Sequence, residues 1–204
     1  MMFDLSSIPV TFPEREIFLR LEGNIHKTEL DNAEKLKFIR IAKKAFSLCE
    51  TKGRWDHLAV KTVRDDGILL ENGIFVKGGK FAARCSGITH LWLGAVTAGK
   101  AVAEAEEKCE DISARAIFDA VASETADAAM DSLVRTAARN LLAQGLSMDA
   151  KRYSPGYGDM PLEMQKIFFS QLHLEELKMV LNDNFYMIPE KSVTAFAAVR
   201  KIVE

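Results

Sequence analysis

The segment RYSPGYGDMP, residues 152–161, gathers side chains that could hold a small charged ligand. Arg152 offers a fork-shaped cation that pairs with a carboxylate or a phosphate through two parallel hydrogen bonds. Gly156 and Gly158 allow positive φ and a close approach of the backbone, and two prolines restrict the chain around them. These residues predict a loop suited to a small zwitterion, although a surface turn leading into a helix explains the same composition.

Motifs for self-contained catalysis are absent from the sequence. The GGK at residues 78–80 lacks the spacing of a P-loop, and no dinucleotide-binding, serine-hydrolase or zinc-protease motif occurs. The four histidines are scattered, and Cys49, Cys85 and Cys109 follow no metal-binding spacing. We therefore expect no catalytic residue and no metal site in this chain.

Size and charge restrict the class of protein. The 204 residues are 48% hydrophobic and 27% charged, and the net charge of −2 offers no positive field to nucleic acid or anionic membranes. The N-terminus lacks the pattern of a secretory signal, and the most apolar run, residues 91–98, is far shorter than the ~20 residues of a membrane span. Three widely spaced cysteines favour reduced thiols. We expect a cytoplasmic protein that binds neither nucleic acid nor membrane.

Helices and short strands must position the loop. Helical periodicity predicts a helix over residues 32–50 and a long alanine-rich helix ending near residue 144, capped by Asp111 or Ser113. Turn signals, of which Asn72-Gly73 is the clearest, separate short strands. Residues 87–99 predict a buried strand that ends in a turn of small residues, and further strands are predicted at residues 180–181, 186–188 and 193–202. Because no regular βαβ alternation occurs, we predict an α+β fold. It is a single domain, residues 1–204, with a mixed or antiparallel sheet flanked by helices.

The long helix carries a stripe of polar side chains. Its members recur four residues apart: Asp119, Ser123, Asp127, Asp131 and Arg135. The last two predict an ion pair along the helix, and Asp127 alone is typical of a solvated carboxylate. After the loop, Asp159 is predicted to cap a helix over residues 160–172, with Pro161 in its first turn.

Several segments together resemble the activation domain of cobalamin-dependent methionine synthase, and free-standing relatives of that domain even more closely. They are RYSPGYGDMPLEMQ from residue 152, FYMIPEKSVTAFAAV from residue 185, GAVTAGKAVAEAEEK from residue 94 and DISARAIFDAVASETAD from residue 111. The Arg-x-x-x-Gly-Tyr core and the downstream Pro-x-x-Ser-Val are fairly specific as a pair. The resemblance covers residues 85–204, and residues 1–80 match nothing.

The resemblance implies a function. The family's domain binds S-adenosylmethionine and docks over the cobalamin of the synthase. When the cofactor is left as inert cob(II)alamin, flavodoxin or another electron donor reduces it, and the domain delivers the methyl group that restores methylcobalamin. By this resemblance the chain is an activation subunit for a separate cobalamin-bearing synthase, without autonomous turnover. The reduced cofactor is itself the nucleophile, so the protein's task is positioning.

The resemblance also implies which residues bind S-adenosylmethionine. Arg152 would hold the carboxylate of the ligand, and Tyr157 beside Gly156 would line the pocket. Asp127 falls where the family carries an acidic residue that faces the site.

Two departures from the family pattern leave an alternative open. Phe196 and Ala197 fall where fused synthases place two tyrosines, so only backbone groups remain at these positions to bind the ligand. No aspartate near the N-terminus can be matched to the one that binds the ligand's amino group, and Asp4 is too weakly placed. The alternative is a non-catalytic module that recognises a corrinoid protein, or an activator of another corrinoid methyltransferase.

Overall fold

The structure, a computed structural model, describes residues 2–22 and 32–202. The strands are β1 (Phe3–Leu5), β2 (Lys52–Arg64), β3 (Gly67–Leu70), β4 (Phe75–Lys77), β5 (His90–Thr97), β6 (Leu146–Tyr153), β7 (Val180–Leu181), β8 (Met187–Ile188) and β9 (Ser192–Lys201). The helices are α1 (Glu14–Glu22), α2 (Asn32–Ser47), α3 (Gly79–Ala82), α4 (Lys100–Glu107), α5 (Ile112–Leu142) and α6 (Gln165–Leu172). Short 3-10 helices lie at Leu162–Met164 and Leu174–Leu177.

The described residues form a seven-stranded sheet in the order β4-β3-β2-β5-β9-β6, with β1 also paired to β2. Neighbouring strands run antiparallel, and β7 and β8 form a separate two-stranded ribbon. The predicted turn at Asn72-Gly73 joins β3 to β4, where the Asn72 side chain accepts from Ile74 N at 3.2 Å. The predicted α+β fold is confirmed, with an antiparallel sheet, flanking helices and one long helix.

The central strands are buried on both faces. Along β9, Ala195, Ala197 and Val199 pack toward α5, whereas Phe196 and Ala198 pack on the opposite face with α3 and α6. Side chains alternate across a strand, so neighbours in β9 belong to different cores. A third core joins α1, α2 and α4 to the N-terminal half of α5.

The helix α5 spans 31 residues and contacts both the sheet and the other helices. Asp111 caps it by accepting from Ser113 N at 2.9 Å and Ala114 N at 3.1 Å, so Ser113 is a donor inside the helix and not the cap. Alanines dominate its buried face, which lets neighbouring elements pack closely. Gly145 follows the helix with φ +72°, a conformation that favours glycine at a helix C-terminus.

Two local predictions around the loop are wrong. Arg152 belongs to strand β6, so the loop begins at residue 154. Asp159 does not cap the following helix, because its carboxylate accepts from Lys80 N at 2.9 Å, at the start of α3. That N–H has no acceptor within its own helix, so a carboxylate brought there by the fold stabilises it. The helix after the loop instead begins with the 3-10 helix Leu162–Met164 behind Pro161.

None of the helices in the described part of the chain combines the length and the hydrophobicity needed to cross a bilayer.

Candidate functional site

A cleft of about 700 Å³ lies beside β6. One wall is formed by α5 and β6, the other by α3, and the loop at residues 154–160 and the first residues of β9 complete it. Its charged lining residues are Lys80, Arg84, Asp127, Arg152 and Asp159. The apolar ones include Phe81, Met130, Tyr153, Met160 and Met187. A concave site with apolar walls and a few convergent polar groups is typical of a small-molecule pocket.

Arg152 is held by the long helix. Its Nη2 lies 2.8 Å from Asp131 Oδ1 in an ion pair, so Asp131 pairs across to β6 and not along the helix with Arg135 as predicted. The second terminal nitrogen of Arg152, Nη1, is shielded from solvent and finds no acceptor among the described residues. A shielded cationic N–H without an acceptor is costly. Because Arg152 also lines the cleft, its guanidinium is the cationic group that an anionic ligand group would meet on this wall.

Asp127 lines the same wall, one helical turn before Asp131. Its pKa is raised, chiefly because the surrounding protein desolvates the carboxylate and because Glu124 adds a like charge, while Arg20 and Arg152 oppose the shift. The side chain is still 56% exposed, so water screens these effects. The Arg20 guanidinium lies 3.8 Å from Asp127 but donates to Glu124 at 2.5 Å. The Asp127 carboxylate thus keeps a long ion-pair contact with Arg20, and its exposed part can still meet a cation that enters the cleft.

The loop places Tyr157 at the mouth of the cleft, with 78% of the residue exposed. Gly156 and Gly158 adopt φ of +88° and +67°, as the glycine content predicted. Gly156 N donates to Met160 O at 3.0 Å, which closes the turn. Gly156 shapes the backbone that presents Tyr157, and its own atoms are not among those lining the cleft.

The wall formed by α3 was missed by the sequence analysis. Lys80, Phe81 and Arg84 line the cleft, and the Phe81 ring packs 4.6 Å from that of Tyr153 on the opposite wall. Within residues 2–22 and 32–202, no carboxylate forms an ion pair with Lys80 or Arg84. The GGK at residues 78–80 is the sequence feature that marks this wall. Its spacing excludes a P-loop, but that comparison says nothing about a short helix at the side of a cleft.

Two buried polar residues form part of the cleft lining. Thr194 Oγ1 donates to Gln165 Oε1 at 2.7 Å, and the two residues are 2% and 5% exposed. This hydrogen bond joins the start of β9 to the start of α6. The sequence signal for this pair is Thr194, a polar residue within the apolar run of residues 193–199, whereas Gln165 stands among other polar residues.

The family-like motifs meet in a structural network beside the cleft. Lys191 forms an ion pair with Asp119 of α5, and its carbonyl accepts from Ala98 N at 2.9 Å. Ser192 Oγ lies 2.7 Å from Pro189 O and 3.0 Å from Thr97 Oγ1. The segments 94–99, 111–127 and 189–193 therefore support one another and fix the start of β9, which borders the cleft.

The structure does not bring the Phe196 and Ala197 side chains to the cleft. Both are fully buried, Phe196 against Phe168 with ring centroids 4.3 Å apart and Ala197 on the face toward α5. The part of β9 that lines the cleft is residues 192–195. Arg152, Asp127 and Tyr157 are the predicted site residues that do line it.

The N-terminal Asp4 is engaged elsewhere. Its carboxylate accepts from the Arg54 guanidinium at 2.6 Å, and Arg54 is 5% exposed and also bonds Glu176 and two backbone carbonyls. Asp4 thus helps to neutralise a buried cation. Among the described residues, no group of three or more histidine, cysteine or acidic side chains is arranged to hold a metal ion.

No protein-family model matches the sequence, and no curated protein matches it either. Among solved structures, the crystal structure of the MetH reactivation domain bound to AdoHcy matches with a TM-score of 0.68. The match covers 100% of this chain and 80% of that chain, at 15% sequence identity. A likeness at this identity establishes the fold, and the predicted resemblance is confirmed at that level. The chain has the fold of the MetH reactivation domain.

Proposed function

We propose that the cleft binds S-adenosylmethionine and presents its methyl group to the cobalamin of a separate methionine synthase chain. The observation that carries the proposal is the pair of opposite charges on one wall. Arg152 has an unpaired guanidinium nitrogen, and Asp127 has an exposed carboxylate one turn of α5 away from the Arg152 partner. An α-amino acid carries the complementary carboxylate and ammonium. The fold, shared with a domain bound to AdoHcy, adds support.

Each part of the ligand has a place in this arrangement. Arg152 binds the carboxylate, and Asp127 attracts the ammonium and the positive sulfonium. The apolar and aromatic residues of the two walls and the loop, Phe81, Tyr153 and Met160 among them, accommodate the adenosine portion. Tyr157, on the loop shaped by Gly156, covers the ligand from the mouth of the cleft. The backbone of β9 at Phe196 and Ala197 supports the residues that line the cleft next to it.

The partner is a cobalamin-binding methionine synthase chain, and flavodoxin or another electron donor completes the cytoplasmic system. Bound cobalamin supplies the nucleophile for methyl transfer. The residues of this chain bind the methyl donor, orient it and shield it from water, which is where most of the rate advantage of such a site arises. A subunit that only presents the methyl donor needs no general base. The cleft, with one ion pair and one exposed carboxylate among its charged groups, is compatible with this role.

Isothermal titration with S-adenosylmethionine and S-adenosylhomocysteine tests the proposal. The full chain is titrated alone and with the cobalamin-binding chain of a synthase. We expect saturable binding of both ligands, and transfer of labelled methyl only when the partner and an electron donor are present. Absence of binding in both settings would refute the proposal. Capture of a corrinoid protein without ligand binding or methyl transfer would favour the non-catalytic recognition module.

A further inference from the structure

We infer that Asp131 is a positioning residue that keeps Arg152 away from Asp127, so that both opposite charges stay available to a zwitterionic ligand. The inference rests on the proposed function and adds to it a residue that does not itself contact the ligand. It concerns Asp127 of α5 and Arg152 of β6, which line the cleft, and Asp131 of α5, which does not line it but pairs with Arg152.

The geometry puts one guanidinium within reach of two carboxylates. Asp127 and Asp131 are four residues apart on α5, a rise of about 6 Å along the helix. Arg152 forms an ion pair with Asp131 at 2.8 Å, and no ion pair joins Arg152 to Asp127 in the described part of the chain. Yet the Arg152 charge is close enough to Asp127 to act on its titration. Asp131 therefore determines which of the two carboxylates the guanidinium contacts.

The competing arrangement would close the site to a zwitterion. A guanidinium that loses its carboxylate partner in a partly desolvated site is stabilised by the next carboxylate within reach. Around Arg152 that carboxylate is Asp127, whose contact with Arg20 is long at 3.8 Å, whereas Arg20 engages Glu124 at 2.5 Å. In a pair between Arg152 and Asp127, the group that binds the ligand's carboxylate would be bound to the group that attracts its ammonium. The ligand would have to break this pair before it could bind.

Asp131 also contacts only one of the two terminal nitrogens of the Arg152 guanidinium. It engages Nη2 alone, while Nη1 has no acceptor among the described residues. Because the Asp131 side chain is 54% exposed on a helix surface, its replacement by alanine removes the carboxylate without opening a core cavity. The site thus offers a substitution that affects the placement of Arg152 and leaves the fold intact.

The test compares ligands with and without the amino acid moiety. We expect Asp131→Ala to raise the Kd for S-adenosylhomocysteine about tenfold, as loss of an aligned charge-assisted hydrogen bond would. Binding of 5′-methylthioadenosine, which lacks the amino acid, is expected to stay within about twofold by the same reasoning. The conservative Asp131→Glu restores most of the affinity. An equal loss for both ligands would indicate a merely structural role and overturn the inference.

A double-mutant cycle isolates the competition between the two carboxylates. In an Asp127→Asn background, Arg152 has no second carboxylate to pair with, so Asp131→Ala is expected to cost less than about threefold in Kd for S-adenosylhomocysteine. A full tenfold loss in that background would overturn the inference, even with ligand binding by the wild type intact. Failure of the wild type to bind any of these ligands would instead refute the proposed function.

A second measurement needs no ligand. Titration of the Asp127 carboxyl by NMR is expected to give a lower pKa in Asp131→Ala than in the wild type. Arg152 moves toward Asp127, and the like charge of Asp131 is lost, so Asp131→Asn and Asp131→Glu serve as controls that separate the two causes. An Asp127 pKa that is equal in Asp131→Ala and Asp131→Asn, with the Arg152 resonances unmoved, would overturn the inference.

Discussion

The two walls of the cleft differ in how their charges are held. On the wall formed by α5 and β6, Arg152 is paired and oriented by Asp131, and Asp127 is exposed beside it. On the α3 wall, Lys80 and Arg84 are exposed and lack ion-pair partners among the described residues. An oriented pair can select a ligand by geometry, whereas mobile surface cations contribute mainly long-range attraction. For the proposed ligand, we therefore expect selectivity to reside on the α5 and β6 wall.

Substitution of Arg152 is expected to have the largest effect, because it removes the oriented cation from the α5 and β6 wall. We expect Arg152→Ala to weaken S-adenosylmethionine binding by about 1.5–3 kcal/mol, because a charge-assisted hydrogen bond is lost from a desolvated site. The same measurement on Arg84→Ala is expected to show less than about 0.5 kcal/mol, since that guanidinium is exposed. Arg135→Ala, on the same face of α5 but outside the cleft, is the matched control. Equal losses for Arg152 and Arg84 would contradict the assignment of selectivity.

The buried hydrogen bond between Gln165 and Thr194 is expected to have the next largest effect. Thr194→Val keeps the shape of the side chain but leaves the Gln165 amide oxygen without its partner, so we expect about 1–2 kcal/mol of destabilisation. Urea unfolding measures it. The exposed Thr62 of β2 offers a matched Thr62→Val control, for which no comparable loss is expected.

Breaking the contact between the loop and α3 is expected to have a smaller effect than breaking the hydrogen bond between Gln165 and Thr194. Asp159→Ala removes the acceptor for Lys80 N, and the loss of a capping carboxylate costs about 1 kcal/mol. Hydrogen exchange at the amides of residues 80–83 is expected to accelerate more than exchange in α5. Asp183→Ala, at another exposed turn, serves as the control. Unchanged exchange in α3 would show that Phe81 and its packing hold this wall without help from Asp159.

The smallest effect concerns the pH dependence of stability at Asp127. Its raised pKa means that the folded state binds the proton more tightly than the unfolded state does. The resulting stabilisation is complete below the ordinary pKa and is lost as the pH rises through the folded pKa. Asp127→Asn is therefore expected to be at least as stable as the wild type at pH 7, and that advantage is expected to disappear at low pH, although solvent keeps it small. Denaturation at pH 4 and pH 7 checks this, with Asp119→Asn for comparison.

Local sequence features predicted much of the scaffold. Alanine content and the Asp111 cap predicted α5, and the Asn72-Gly73 turn predicted the β3 and β4 hairpin. Three residues of the predicted site also line one cleft, namely Asp127, Arg152 and Tyr157. These features act over a few neighbouring residues, so they are visible without knowledge of the tertiary structure.

The wrong and missed features share a physical cause. Asp131 could pair with Arg135 along the helix, but in the structure it forms its ion pair with Arg152 of β6. Asp159 precedes a helix in its own segment that it could cap, but its carboxylate accepts from Lys80 N at the start of α3 instead. In both cases an interaction between distant segments replaced a local one of similar strength, which no local rule can anticipate.

The sequence by itself predicted α2, α5, the β3 and β4 hairpin and the turn that carries Tyr157, because these depend on backbone preferences and periodicity over short distances, whereas α3 and β6 were not predicted. Only the tertiary structure decided how the cleft is built. The contact between Asp159 and Lys80 spans 79 residues of sequence, and the start of β9 reaches the cleft while Phe196 and Ala197 do not. Which charges meet depends on how the whole chain packs, and that packing makes a turn rich in glycine and proline one side of the cleft.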